Sequence, residues 1–498
     1  MKKLILLSVL SLLICTGCEK FLNVNPVNKA YEGDLFKDRF GFETSLAGVY
    51  AILNRDALYG KEMKYGFMES MVGTYNSVNS SHTYYRSSNY QYDIGVIISI
   101  VNNIWSQHYS AINQVNIMLK FVDELPQDQN YFLIKGELLG LRAFLHFGLL
   151  KLFGPVISVE GLSANASPYR TSTEVKLAKF STATEVINLL QKDLEEARTL
   201  LGEDPIRKVA RTANQNQFAY EKYNSLIDNR GCRMNYYTIL GLQALIAQWA
   251  GELPKGRDYA EELIKELEPR SNSIHLATAG ELSSGNNKRM PMESLFSLMN
   301  QNLLTQNHSV NPPVEDSRPS NASPLLFANY NYLLGNLYNL PGQGSLNDYR
   351  LINWFTRAAN STTTWKLTKY HFSVNIPYSN LYYRIYFENK IIGLHQIYML
   401  AAEEYADSNP QKAIEYLNKV RNARNITNNI IYDANKTSQV LKDMIFDELR
   451  KENVGEGMLI SEYKRLYKPI HRNTNVEPKI AIFKLPIPVD EQTYNPQK

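Results

Sequence analysis

The sequence predicts a mainly α protein built from pairs of helices, interrupted by one long segment of different character. Apolar residues recur at every third or fourth position in several stretches, which is the period of a helix. Two stretches share a helix–short turn–helix layout, and residues 268–390 have no such period. With 498 residues, 44% of them hydrophobic and 20% charged, the chain is long enough to bury a large core.

The N-terminus predicts export. Two lysines precede an apolar run from Leu4 to Ile14, and Cys15-Thr16-Gly17-Cys18 follows. The run is too short for a membrane span, which needs about 20 apolar residues, and it suits a cleaved signal. The arrangement resembles a bacterial lipoprotein signal, in which the cysteine after the cut is acylated. We therefore expect a signal at 1–17, a lipid on Cys18, a tether at 18–35 and one helical body at 36–498.

Helical patterns begin soon after this tether. The first apolar face comprises Phe42, Leu46, Val49, Tyr50 and Leu53. Further helices are predicted from about residue 100 to 122 and from about 131 to 153, where Gly154-Pro155 is a typical stop. Thr182 with Glu185 forms a capping-box pattern, so another helix is expected from there to about Leu201.

Two helix pairs follow. The first is predicted at 235–250 and 257–267, with a turn at 251–254, and the second at 394–406 and 410–424. Asn409 and Pro410 are a good N-cap and a good first helical residue. The layout is typical of tetratricopeptide-like repeats, although ordinary antiparallel hairpins would show the same pattern. A final helix is predicted at about 439–453.

The segment 268–390 is rich in Asn, Ser, Pro and aromatic residues. Residues 293–298 alternate as a short strand would. More than a hundred residues are too many for one loop, so we expect strands, short helices and functional loops inserted between the helix pairs.

Composition and motifs argue against several functions. Without Lys2 and Lys3 the chain has 51 basic and 49 acidic residues and no basic stripe, which does not favour nucleic-acid binding. The eight histidines lack metal-ligand spacing, and nucleophile-elbow and phosphate-loop motifs are absent from the sequence. Adjacent acids such as Glu403-Glu404 suit a solvated or ion-paired helix face. We therefore predict no catalytic residue, metal or cofactor, although acids distant in sequence could still meet in space.

Several blocks in order resemble one family, the SusD/RagB outer-membrane nutrient-uptake lipoproteins of Bacteroidota. The resemblance covers nearly the whole chain. Its blocks are Cys18-Glu19-Lys20-Phe21-Leu22 with Pro26, Trp105…Tyr109…Ile112…Asn116, Gly136-Glu137…Leu141-Arg142-Ala143 with Gly154-Pro155, Asp348-Tyr349-Arg350, Tyr398-Met399-Leu400-Ala401-Ala402-Glu403, Glu448…Glu452…Glu456-Gly457 and Pro486-Ile487-Pro488. Gly393 and Gln396 depart from the family, which usually has Arg and Glu there.

The resemblance implies a tetratricopeptide-like superhelix with a loop-rich, minor-β face that carries the ligand. It also implies a surface-exposed lipoprotein, anchored in the outer membrane, that acts as a lid on a SusC-like TonB-dependent transporter. Most of the matched charged residues, including Glu137 and Arg142, are expected to have structural roles as buried pairs.

Aromatic residues among polar ones indicate where a glycan or oligosaccharide would bind, because a sugar has an apolar face and a rim of hydroxyls. The ligand-binding residues predicted on this basis are Tyr75, Tyr84, Tyr85, Arg86, Tyr90, Tyr92, Trp365 and Tyr382. A peptide ligand, as in RagB-like proteins, is the main alternative. A glycosidase and a pure scaffold are also open at this stage.

Overall fold

The computed structural model describes residues 33–75, 78–174, 176–208, 225–228, 230–269, 274–283, 288–313, 325–358, 361, 364–372 and 387–495. Two predicted positions, Cys18 and Tyr382, lie outside these residues, as do the signal and most of the tether.

The first half of the described chain is helical. Its helices are α1 (Arg39–Leu53), α2 (Phe67–Ser70), α3 (Tyr85–Ser88), α4 (Val96–Phe121), α5 (Gln129–Phe153), α6 (Ile157–Glu160), α7 (Ala183–Leu200), α8 (Ser225–Asp228), α9 (Tyr236–Trp249) and α10 (Leu253–Leu267). The capping box predicted at Thr182 is present, because its side chain accepts from the Glu185 N–H while the Glu185 carboxylate accepts from the Thr182 N–H. The predicted turn at 251–254 is too long, since Leu253 and Pro254 form the first turn of α10, where a proline N–H is not needed.

The second half alternates short helices with strands before the helix pairs resume. The helices are α11 (Ala279–Ser283), α12 (Leu303–His308), α13 (Tyr330–Leu333), α14 (Tyr349–Trp354), α15 (Leu394–Tyr405), α16 (Pro410–Ala423), α17 (Ser438–Glu452), α18 (Leu459–Leu466), α19 (Ile480–Phe483) and α20 (Val489–Tyr494). Helix α17 is therefore not the last one, as the sequence had suggested. The short segments that follow it have too few turns to show a helical period.

All five strands of the described chain lie between residues 294 and 393. They are β1 (Ser294–Met299), β2 (Ala328–Asn329), β3 (Phe355–Arg357), β4 (Thr364–Leu367) and β5 (Glu388–Gly393). β1 pairs antiparallel with β5, and β4 lies between β2 and β3. Tyr75 forms a bridge with Ala328, which brings the loop after α2 against β2.

Neighbouring helices in sequence pack together: α4 with α5, α9 with α10, and α15 with α16. α5 is buried on nearly every side, so its charged residues need partners. Arg142 donates two 2.7 Å bonds to Asp193, and Glu137 accepts from Arg230 and Arg233 at 3.0 Å. These are the buried structural pairs that the sequence predicted.

Gly393 also has a structural explanation. A side chain there would place its Cβ 2.5 Å from the His395 ring. That imidazole lies 3.3 Å from the Glu293 carboxylate, which also receives two bonds from Arg424. The His395 imidazole therefore fills the space beside Gly393, and a larger residue at position 393 would displace that ring.

Candidate functional site

A polar cleft of about 330 Å³ opens where three distant segments meet. They are residues 70–75 with 78–89 (which include α3), the end of β2, and the loop at 472–476. Its lining comprises Ser70, Val72, Gly73, Tyr75, Val78, Tyr85, Ser88, Asn89, Asn329, Arg472, Asn473, Thr474 and Val476. The volume lies in the range of small-molecule sites, about 300–1,000 Å³.

Two predicted residues, Tyr75 and Tyr85, line this cleft, and they differ in what they offer. Tyr75 is buried, and its hydroxyl donates to the Tyr65 carbonyl at 2.7 Å, with Asn311 Oδ1 at 3.0 Å. Tyr85 is half-buried, and its hydroxyl makes no hydrogen bond to any described residue. Tyr85 is therefore the aromatic ring that a ligand in the cleft can contact.

Arg472 links the loop at 472–476 to the wall that contains Ser70 and Ser88. It donates to the Ser88 carbonyl at 2.8 Å and to the Ser70 carbonyl at 3.1 Å. Its guanidinium also lies 5.1 Å from the centre of the Tyr90 ring, within the range of a cation–π contact. These contacts hold the cleft open in one shape before any ligand arrives.

Asn329 and Asn473 close one side of the cleft. The Asn329 amide donates to Asn473 Oδ1 at 3.1 Å. Asn473 and Thr474 lie in a loop whose ends, Ile470 and Val476, exchange two main-chain hydrogen bonds. The polar tip of this loop is thus held beside Tyr85 and Asn89 by a small antiparallel bridge.

Tyr84 and Tyr92, which the sequence placed among the ligand-binding residues, do not line this cleft. Both are buried, with the Tyr84 hydroxyl donating to Glu62 at 2.8 Å and the Tyr92 hydroxyl to the Ile482 carbonyl at 2.7 Å. Burial raises the pKa of both phenols, and Glu62 raises that of Tyr84 further. Both hydroxyls therefore stay neutral, and their hydrogen bonds attach the segment that contains Tyr84 and Tyr92 to the rest of the fold.

Tyr90 and Arg86 support the loop from its edge. Tyr90 has φ of +60°, a strained value for an aromatic residue. Its hydroxyl donates to the Met71 carbonyl at 3.0 Å, and burial raises its pKa to about 12. Arg86 is exposed and donates to Gln91 at 2.9 Å, outside the cleft lining.

Trp365 belongs to a second aromatic feature. Its ring stacks on Tyr330, with centroids 4.3 Å apart and planes 9° apart, and both rings are half-buried. β4 places Trp365 opposite Ala328, one residue before Asn329 of the cleft, but Trp365 is not in the lining. The stack therefore supports the cleft from its neighbouring strands.

The sequence missed Arg472, Asn473, Thr474 and Asn329. A weak signal was available at 471–475, where five polar residues stand between Ile470 and Val476. Such a run between β-branched residues is typical of a tight loop. Nothing in it indicated contact with a loop that lies some 384 positions earlier in the chain.

The cleft is polar without being acidic. Its described lining contains no carboxylate, and its one charged group, Arg472, is bonded to main-chain carbonyls. Glu69 lies outside the lining, where it accepts from the Thr74 hydroxyl at 2.5 Å and the Gly457 N–H at 3.2 Å, and burial raises its pKa. The cleft offers hydroxyl, amide and aromatic contacts, which suit an uncharged ligand rich in hydroxyls.

The described helices define the class of protein: a helix-pair body whose loop-rich face carries a polar cleft. A family model described as starch-binding and associating with the outer membrane matches residues 20–221. The chain is 21% identical to the SusD-like protein P25 of Formosa agariphila, over 99% of this chain and 97% of that protein.

Solved structures share the fold. A SusD-like carbohydrate-binding protein from Bacteroides vulgatus has a TM-score of 0.69 at 19% identity, covering 92% of this chain and 97% of its own. A SusD superfamily protein from Bacteroides thetaiotaomicron has a TM-score of 0.68, also at 19% identity, covering 92% and 98%. Together these matches show that the chain has the SusD-like fold and is similar in sequence to SusD-like proteins.

The family is associated with the outer membrane. Within the described part of the chain, every helix is too short or too polar to cross a bilayer.

Proposed function

We propose that this protein is a non-catalytic, cell-surface glycan-binding lipoprotein that delivers oligosaccharides to a TonB-dependent outer-membrane transporter. The observation that carries the proposal is the cleft itself, in which the half-buried ring of Tyr85 lies beside amide and hydroxyl side chains. Sugar rings are recognised by this combination, since an aromatic face packs on their C–H surface while amides and hydroxyls bind their hydroxyl rim. Two guanidinium groups are near: Arg472 is bonded to main-chain carbonyls, and the exposed Arg86 lies 5.8 Å from the centre of the Tyr85 ring.

The relatives support the class of ligand. The matching family is described as starch-binding, and a protein with the same fold is described as carbohydrate-binding. In this chain we assign the contact to Tyr85, with Asn89, Asn329, Asn473 and Thr474 as hydrogen-bonding partners.

The cleft favours binding over hydrolysis. Glycosidases place two carboxyl groups about 5–10 Å apart beside the scissile bond, whereas the described cleft lining has none. The absence of a lining carboxylate also argues against a peptide, because an ammonium terminus would have no counter-charge there.

The rest of the proposal concerns the anchor and the partner. Residues 1–17 are removed, Cys18 carries the lipid, residues 18–35 form a tether, and residues 36–498 form one body in which 268–390 is a loop-rich insert. The tether keeps the body beside the transporter, where a ligand released from the cleft meets the channel at high local concentration.

Affinity electrophoresis tests the proposal. The mature protein is run in native gels that contain soluble starch, xylan, laminarin or galactomannan, and we expect at least one polysaccharide to retard it. Tyr85→Ala should raise the apparent Kd roughly 5- to 30-fold, since about 1–2 kcal/mol of ring contact is lost.

Tyr432→Ala is the matched control. Tyr432 is 43% exposed and lies between α16 and α17, outside the cleft. Its replacement should leave the retardation unchanged. Equal retardation of wild type and Tyr85→Ala, or migration unaffected by every polysaccharide, would contradict the proposal.

A further inference from the structure

A second cleft, of about 410 Å³, lies along α4 and shares no lining residue with the first. It is lined by Trp105, Ser106, Tyr109, Ile112, Asn113, Asn116, Pro168, Arg170, Ser172, Lys176, Leu177, Ala178 and Glu491. One wall is a single face of α4, the other is the chain between α6 and α7, and α20 contributes Glu491.

The two walls are held together by hydrogen bonds. The Tyr109 hydroxyl donates to the Pro168 carbonyl at 2.9 Å, and the Asn116 amide donates to the Arg170 carbonyl at 3.0 Å. Asn116 is itself held by Arg142, which donates to its Oδ1 at 3.2 Å. The cleft is therefore preformed, and a ligand would not have to order its walls.

Each charged side chain of the lining already has a hydrogen-bond or ion-pair partner. Arg170 donates to the main-chain carbonyls of residues 174 and 176, and Lys176 pairs with Glu174 at 2.9 Å. Glu491 accepts from the Asn495 amide at 2.8 Å. Each charged group of the lining is thus engaged by a neighbouring residue, which leaves the neutral polar side chains to contact a ligand.

Three polar side chains remain available to a ligand. Trp105 is 6% exposed, and its indole N–H makes no hydrogen bond to any residue that the structure describes. Asn113 and Ser172, both exposed, likewise make no side-chain hydrogen bond to described residues.

We infer that this cleft is a second saccharide site, which binds a neutral sugar unit against Trp105 and Tyr109 with Asn113 and Ser172 on its hydroxyl rim. The inference rests on the proposed function, because it requires that the protein bind glycans. Trp105 and Tyr109 lie 5.0 Å apart as tilted rings and form the apolar floor. Two separate sites on one body would let the protein hold a polysaccharide at two points and gain avidity.

Hydrogen–deuterium exchange separates the two sites. The full mature protein is mixed with millimolar maltohexaose, xylohexaose, laminarihexaose or cellohexaose. We expect slower exchange in peptides covering 105–116 and 168–178, besides those covering 70–92 and 470–476. Asn113→Arg should abolish the protection of 105–116 and 168–178 and leave the protection of 70–92 and 470–476 intact.

Gln114→Arg is the control, because Gln114 is the exposed neighbour on the same helix but does not line the cleft. It should leave both protections unchanged. Protection at 70–92 alone would overturn this inference and leave the proposed function standing, whereas protection at neither place would overturn both. Protection of 105–116 that survives Asn113→Arg would also overturn the second site.

Discussion

Glu403 and Glu404 are adjacent in α15, but their carboxylates differ in hydrogen bonding, and the pKa of Glu404 is raised. Glu403 fits the ion-paired helix face predicted for this pair, because it accepts two 2.7 Å bonds from Arg465. Glu404 is 7% exposed, and neither carboxyl oxygen has a hydrogen-bond partner in the described chain. Burial first, and then the charge of Glu403, raise the pKa of Glu404 to about 8.

This raised pKa makes stability depend on pH. The folded state holds the proton more tightly than the unfolded chain, whose glutamate titrates near pH 4.3. Stability is therefore complete below about pH 4.3 and falls as the pH rises towards 8. Glu404→Gln removes this loss, so it should stabilise the protein at pH 9 by about 1–3 kcal/mol relative to its effect at pH 5.

Thermal melts of both proteins across pH 5–9 measure that difference. Glu403→Gln is the comparison, and it should destabilise the protein because Arg465 keeps only Glu462 as a carboxylate partner. It should also weaken the pH dependence, because the charge of Glu403 contributes to the raised pKa of Glu404. A constant difference between Glu404→Gln and wild type at every pH would rule out the raised pKa.

At the scale of elements, buried ion pairs between two glutamates of α17 and neighbouring arginines attach this helix to the rest of the fold. Glu448 and Glu452 lie one turn apart on this helix, and both are fully buried. Arg350 donates to both, and Arg424 donates to Glu452 at 2.6 Å. Although burial opposes their ionisation, these arginines hold the pKa of both carboxyls well below the usual range.

Glu452→Gln should cost about 3–5 kcal/mol, because it leaves two buried arginines short of charge. Urea unfolding measures the loss. Glu415→Gln is the control, since its exposed pair with Lys419 is worth less than about 1 kcal/mol. In the wild type the contribution of Glu452 is present above about pH 4.3 and is lost as the pH falls below it. Equal unfolding midpoints for the two variants would contradict this account.

At Gly73, which lines the first cleft, the backbone lies close to both His471 and Tyr332. A Cβ at this position would lie 2.5 Å from the His471 carbonyl and 2.6 Å from the Tyr332 ring. Gly73→Ala must therefore displace the 471–474 loop, and it should weaken polysaccharide retardation at least about tenfold. Gly48→Ala in α1, where the added methyl meets nothing within 4 Å, should retain full binding. Unchanged binding by Gly73→Ala would show that this loop is not part of the site.

Local signals predicted the elements better than they predicted the site. The capping residue at Thr182 and the stop at Gly154 act within a few positions, and they located α5 and α7 within about two residues. Tyr85 entered the predicted set because a cluster of tyrosines is visible in the sequence. Tyr84 entered the same set, because only the fold shows that it is buried and that its hydroxyl donates to Glu62. Arg472 was missed for the same reason, since it meets Ser88 through tertiary structure alone.

At the scale of the whole molecule, one hydrophobic cluster reaches from Phe36 to Ile487. The first cleft takes its walls from both ends of this body, since Tyr85 lies near its start and Arg472 near its end. The first cleft therefore forms only when both ends of the described chain are folded together.

The tether makes a separate prediction. Cys18→Ala should release the protein from the membrane fraction into the soluble fraction, because the residue proposed to carry the lipid is lost. Cell fractionation with immunoblotting measures the distribution. Lys20→Ala, in the same tether, should leave the protein with the membranes. Continued membrane attachment of Cys18→Ala would contradict lipid anchoring at this residue.

The central claim is that the first cleft binds a neutral oligosaccharide. A crystal structure of the mature protein, soaked with the oligosaccharide of whichever polysaccharide retards it in native gels, tests this most directly. We predict a sugar ring packed on Tyr85, with its hydroxyls bonded to Asn329 or Asn473. A ligand bound only elsewhere, with this cleft empty, would contradict the account.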